Sequence, residues 1–188
     1  MPRRPRFAAG GYVYHVLNRA VARHQIFDKS LDYAAFERVL KEGKAEVPIR
    51  LLAYCILPNH WHLVLWPVHD NDLSAYLHWL TMTHTQRWHA HHHTSGTGPL
   101  YQGRFKSFPI QEDDVERNAL RASLVPQAET WRWGSLWHRV HGTAEPLLEA
   151  WPLEIPSTWV DHVNEPQSEV ELKEIKGSGV FVLDGPGD

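Results

Sequence analysis

One cysteine, Cys55, stands in 188 residues, so an internal disulfide framework is excluded and a reducing compartment such as the cytoplasm is expected. Between Tyr54 and Ile56 that thiol reads as a packed apolar residue. Uninterrupted apolar runs are also missing. The longest candidate, Leu51 to Val68, is broken by Pro58, Asn59 and two histidines, which argues against a membrane span. No apolar segment follows the basic N-terminus, so no secretory signal is expected. There is no phosphate-cradling Gly-rich fingerprint, no Cys pair of zinc-ribbon type, no Ser nucleophile elbow and no internal repeat. No nucleotide cofactor is therefore expected.

The formal net charge of −3 is unevenly spread. Residues 1–125 carry 15 Lys+Arg against 11 Asp+Glu, and residues 126–188 carry 4 against 11. A mildly basic first part is compatible with phosphate contacts; the acidic remainder reads as a separate module.

The element pattern is legible. Tyr12–Asn18 is β-branched and aromatic, a first strand. Ser30 is placed to cap a helix to about Lys44, with Leu31, Ala34, Ala35, Val39 and Leu40 on its buried stripe. Ile49–Leu57 and His60–Trp66 form a hairpin turned by Pro58-Asn59. Asn71 or Asp72 caps a longer helix to about His89, Arg104–Ile110 is a fourth strand, and Val115–Val125 is a short helix. Strand, helix, hairpin, helix, strand is the ferredoxin-like split β-α-β-β-α-β pattern, an α+β sandwich with helices on one face of an antiparallel sheet and the other face open for binding. The expected division is a domain over 1–125, a Trp/Pro-rich C-terminal extension over 126–170 and a disordered tail over 171–188. Trp131, Trp133, Trp137, Trp151 and Trp159 are expected to pack that extension rather than to stack on bases.

His60 and His62 are the candidate site. The two-residue strand period sets both imidazoles on one face and Trp61 on the other, so the pair can share a divalent cation. With 14 His in the chain such a spacing arises by chance about once. What distinguishes this pair is its apolar surroundings, in which ionisable side chains need partners. His89, His91, His92 and His93 read instead as a polar helix end.

Four segments in order then carry a resemblance: Pro58-Asn59-His60-Trp61-His62-Leu63-Val64, Leu100-Tyr101-Gln102-Gly103-Arg104-Phe105-Lys106-Ser107, Glu116-Arg117-Asn118-Ala119-Leu120-Arg121-Ala122 and Trp131-Arg132-Trp133-Gly134-Ser135-Leu136. Over roughly residues 5 to 170 the chain resembles the single-tyrosine HUH transposases, especially the bacterial REP-associated tyrosine transposase branch. The resemblance implies single-stranded or hairpin DNA as partner and Mg²⁺ or Mn²⁺ as cofactor. It also implies cleavage and rejoining of one strand through a 5′-phosphotyrosine link. It places His60, His62 and Asn118 as metal ligands. Arg3, Arg4, Arg6, Arg104, Lys106, Arg117 and Arg121 become DNA contacts, in a monomer or homodimer. In the family the nucleophilic tyrosine stands one helical turn before that asparagine; here the position is Asp114, as if about eight residues had been lost. A carboxylate is repelled by a phosphodiester, and an acyl phosphate is labile to water. The expectation is a transposase-family protein impaired in the covalent step. The alternatives are a non-catalytic hairpin-DNA-binding protein and a weakly active enzyme that uses Tyr101.

Overall fold

The computed structural model describes residues 8–109, 115–142 and 147–166. Four strands, β1 (Tyr14–Arg19), β2 (Ile49–Leu57), β3 (His60–Pro67) and β4 (Lys106–Pro109), form one antiparallel sheet in the order β2-β3-β1-β4. This is the strand order of the split β-α-β-β-α-β sandwich. Two long helices, α1 (Ser30–Glu46) and α2 (Asp72–His91), cover one face. Short helices α3 (Asn118–Arg121), α4 (Ser135–His141) and α5 (Trp159–Asn164) follow the sheet.

The helical face holds the main core: Val16, Trp61, Leu63 and Leu65 from the strands against Phe36, Leu40, Tyr76, Leu77 and Leu80 from the helices. At Gly43 a Cβ would lie 2.8 Å from the Tyr76 ring, so α1 and α2 approach as closely as they do only because that position lacks a side chain. The start of α1 departs from the sequence reading. Ser30 is its first residue rather than its cap, and the Asp32 carboxylate accepts the backbone N–H groups of Asp28 and Lys29, both at 3.0 Å. Leu31 is 73% exposed, because the stripe that turns inward is Tyr33, Phe36, Val39 and Leu40. The start of α2 follows the same device: Asn71 precedes it in a left-handed conformation without a side-chain cap bond, while Asp72 Oδ2 accepts the His69 N–H at 2.8 Å.

The second sheet face is covered as well, contrary to the expected open face. Leu52, Ala53, Cys55, Leu57 and Val64 pack there against Val115 and Ala119, with Trp131 and Trp151 alongside. Val115–Arg117 is a single 3-10 turn leading into the four-residue α3, and Ser123 turns away with φ 53°, so the expected helix to residue 125 is cut short.

The segment after residue 126 closes the β2 edge. Ile56 N–H donates to Trp133 O at 2.9 Å, Tyr54 N–H to Ser135 Oγ at 3.1 Å, and Trp131 Nε1 to Ile56 O at 3.0 Å. An edge strand this apolar would otherwise offer a pairing template. Of the sequence-named tryptophans, Trp131 and Trp133 pack against the core and Trp159 donates to Glu116 Oε2 at 2.7 Å. The expected tail, 171–188, lies outside the described residues.

Candidate metal and phosphate face

β3 alternates as its spacing requires. In the antiparallel register His60 stands opposite Arg19 and Leu57, and His62 opposite Leu17 and Cys55, so these side chains share one face. Trp61 points to the helices, its Nε1 donating to Tyr101 Oη at 3.0 Å. His60 and His62 are each 1% exposed, with ring centroids 5.1 Å apart.

The hydrogen bonds orient both rings. His60 Nδ1 lies 2.6 Å from Asn59 Oδ1, an acceptor only, so the proton of a neutral His60 sits on Nδ1 and Nε2 keeps its lone pair. His62 Nδ1 lies 2.8 Å from Nε2 of His15, and His62 Nε2 is buried without a hydrogen-bond partner. Burial, with Arg19 nearby, pushes His60 down to about 3; burial, with Arg121 nearby, pushes His15 down to about 4. His62 is held well below the usual histidine range by burial, then by His60, His15 and the two arginines. All three rings are thus neutral at pH 7.

Two neutral imidazoles on one pleat, one with an orphaned buried nitrogen, fit a divalent cation: the lone pairs are available without loss of a proton. His15 completes the arrangement as the group that fixes the His62 ring, a role ligand-bound histidines regularly assign to a neighbour. Arg19 and Arg121 lie near enough to act on His62, and Lys106 stands opposite Leu17 in β4. A groove of about 190 Å³ beside them is lined by Leu17, Arg19, Gln102, Gly103, Arg104 and Lys106. Neutral nitrogens can accept a cation, while the neighbouring guanidinium groups can accept a phosphate.

The other sequence-named residues separate into groups. Arg104 is exposed and Lys106 half-buried, both on the groove. Arg121 lies on α3, near enough to His15 and His62 to depress both. Asn118 opens α3 on the covered face; its Nδ2 donates to Val115 O at 2.9 Å. Arg117 is not a surface cation: it is 3% exposed, its Nε donates to Val163 O at 2.8 Å and its Nη2 to His162 O. That guanidinium fastens α5, which removes it from the expected DNA contacts. Tyr101 is 7% exposed on the opposite side of β3; its hydroxyl accepts from Trp61 and lies 2.6 Å from His84 Nδ1, and burial raises its pKa. A hydroxyl so placed is a core linker, not an attacking group presented to the His60–His62 face. Arg3, Arg4, Arg6 and Asp114 lie outside the described residues.

Sequence reasoning missed His15, Arg19 and Glu116. The first two were within reach: His15, Leu17 and Arg19 alternate along β1, and pairing β1 with β3 sets them beside the histidines. Glu116 carried no such signal. Its buried carboxylate gathers Ser135 Oγ (2.5 Å), Arg139 Nε (3.1 Å) and Trp159 Nε1 (2.7 Å), all distant in sequence.

Residues 9–120 match the family model described as "Transposase IS200 like". Among solved structures, the chain is similar to a REP-associated tyrosine transposase bound to a REP hairpin: 20% identity, 84% of this chain and 95% of that chain covered, TM-score 0.59. It is also similar to a Deinococcus radiodurans R1 protein whose transposase role is itself inferred: 18% identity, 65% and 92% covered, TM-score 0.45. No curated protein matches. The family match spans more than half of the chain and contains both histidines, β1 to β4 and the start of α3; the chain belongs to the IS200-like transposases.

Proposed function

We propose that this transposase-family chain binds single-stranded or hairpin DNA along the groove of Arg19, Arg104 and Lys106 beside the buried His60–His62 pair, and is impaired in the covalent step of strand cleavage. The observation that carries the reading is the buried, unpartnered Nε2 of His62 beside a neutral His60, with Arg19 and Arg121 close by and Lys106 on the adjoining groove. The structural neighbour holding a REP hairpin supports DNA as the partner. His60 and His62 would hold Mg²⁺ or Mn²⁺, with the Asn118 carboxamide as third ligand. When bound, the ion polarises the phosphate and offsets charge gathering on its oxygens. His15 keeps the His62 ring aligned. Arg104, Lys106 and Arg121 take the phosphate backbone, joined by Arg3, Arg4 and Arg6 of the N-terminal arm.

In intact relatives a tyrosine hydroxyl attacks phosphorus, forming a 5′-phosphotyrosine bond as the 3′ oxygen leaves. Here Asp114 holds that position in the sequence, and no tyrosine hydroxyl among the described residues shares the His60–His62 face in the strand register. The protein then acts as a hairpin binder that does not cut. Incubation with end-labelled hairpin single-stranded DNA and Mn²⁺, followed by a denaturing gel, tests this. Retarded DNA on a native gel without a covalent adduct is expected. An adduct that disappears with Tyr101→Phe would overturn the impairment, and absence of binding at low salt would overturn the whole reading.

A further inference from the structure

A second group of ligand atoms lies on the other side of the sheet. Asp32 on α1, His91 at the end of α2 and His92 just beyond it place one carboxylate oxygen and two ring nitrogens within 4.8 Å of one another. We propose that these three residues bind a first-row transition-metal dication of the Zn²⁺ type, separate from the His60–His62 face.

The donor set is two imidazoles and one carboxylate, which suits Zn²⁺ and its neighbours rather than Mg²⁺ or Ca²⁺, whose preferred shells are all oxygen. Two of the three ligands are already fixed. Asp32 is 8% exposed and its Oδ2 accepts two backbone N–H groups, which holds the carboxylate in place. The His92 ring stacks on Trp88 at 4.1 Å and 23°, and Trp88 is itself anchored by Nε1 to Ile26 O at 2.9 Å. His92 Nε2 is buried and has no hydrogen-bond partner. Such an orphaned nitrogen is costly unless something supplies its missing contact. His91 is exposed, so its ring is the movable third ligand; tetrahedral Zn²⁺ sets ligand atoms about 3.3 Å apart, and a turn of that ring closes the set.

The three residues line a groove of about 230 Å³ between α1 and α2, large enough for a metal and its water. Arg38 and Arg87 also border it, but Arg87 is bonded to Glu42 at 2.7 Å and Arg38 lies close enough to lower the same carboxyl. Their charge is drawn towards Glu42. A metal here would tie the last turn of α2 to the first of α1. That end of α2 already holds Ile26, and Ile26 and Phe27 both donate to Pro58 O, next to Asn59 and His60. The ion would therefore brace the turn from which the His60–His62 strand departs.

The test is calorimetric titration of the full chain with Zn²⁺, paired with the visible spectrum of Co²⁺-loaded protein. His91→Ala should bind one equivalent fewer than the unmodified chain and lose the tetrahedral Co²⁺ absorption belonging to it. Asp32→Asn, which keeps an acceptor oxygen for the start of α1, should weaken the same equivalent tenfold or more. His93→Ala should leave it unchanged. An unaltered stoichiometry in His91→Ala would overturn the site. So would equal binding by Asp32→Asn, or loss with His93→Ala, because either would mean simple chelation by a histidine-rich helix end. None of these outcomes depends on DNA binding or on His60 and His62.

Discussion

His15 Nε2 and His62 Nδ1 lie 2.8 Å apart on neighbouring strands, so the orientation of one ring is set by the other. Only one of the two nitrogens carries the shared proton. When His62 donates it, His62 Nε2, buried and without a hydrogen-bond partner, keeps its lone pair. His15→Phe keeps the ring volume and removes the acceptor. Affinity for Mn²⁺ at this face should fall about tenfold to a hundredfold, as it does when an orienting partner of a ligand is lost. The fold should persist, as judged by circular dichroism; unchanged affinity would show that His62 needs no such partner.

The opposite side of β3 makes a contrasting demand. Tyr101 Oη accepts from Trp61 and faces His84 Nδ1, so Tyr101→Phe leaves two buried polar groups short of a partner. A loss of about 1–3 kcal/mol in urea unfolding is expected. Hairpin binding at constant folded concentration should not change. A selective loss of DNA affinity would place this hydroxyl at the DNA instead of in the core.

Glu116 accepts hydrogen bonds from both α4 and α5. Its carboxylate joins the 115–117 turn to Ser135, Arg139 and Trp159, and it is 5% exposed. Glu116→Ala should cost about 1–3 kcal/mol, because Ser135, Trp159 and the half-buried Arg139 lose their shared acceptor. Thermal unfolding monitored by tryptophan fluorescence reads this directly, since Trp159 loses its acceptor in the same variant.

Acid should weaken the protein through His84. Burial pushes this ring down to about 3, well below an unfolded histidine near 6.5. Between those values the unfolded chain binds a proton that the folded chain refuses. The stability this group contributes is therefore complete above about pH 6.5 and is lost as the pH falls towards 3. Urea midpoints measured across that window should decline with acidification, and less steeply in His84→Gln.

The sheet, both long helices and the hairpin carrying the histidines were legible because each rests on local signals: alternation in β3, turn residues Pro58-Asn59 and the apolar stripe of α2. The covered second face was not anticipated, although β2 announced it. Ile49–Leu57 is buried at all but Arg50, a continuous apolar run that needs cover on both sides. What was illegible depends on long-range pairing. Arg117 reads as a basic surface residue in its own segment and becomes a buried fastener only when His162 and Val163 arrive 45 residues later. Tyr101 likewise acquired its place only from Trp61 and His84.

Charge reversal separates DNA positioning from metal binding. Arg104→Glu with Lys106→Glu should reduce affinity for hairpin DNA at least tenfold and flatten its salt dependence, because two phosphate contacts become repulsions. Mn²⁺ binding should be retained, since neither side chain is a proposed ligand.

The most direct measurement is a calorimetric Mn²⁺ titration of His91→Ala protein, in which the α1–α2 site is disabled, against the same protein carrying His62→Ala. The first should bind one Mn²⁺ and the second none, with folding of both verified by circular dichroism. Equal binding by the two proteins would mean that the paired imidazoles of β3 do not hold the ion.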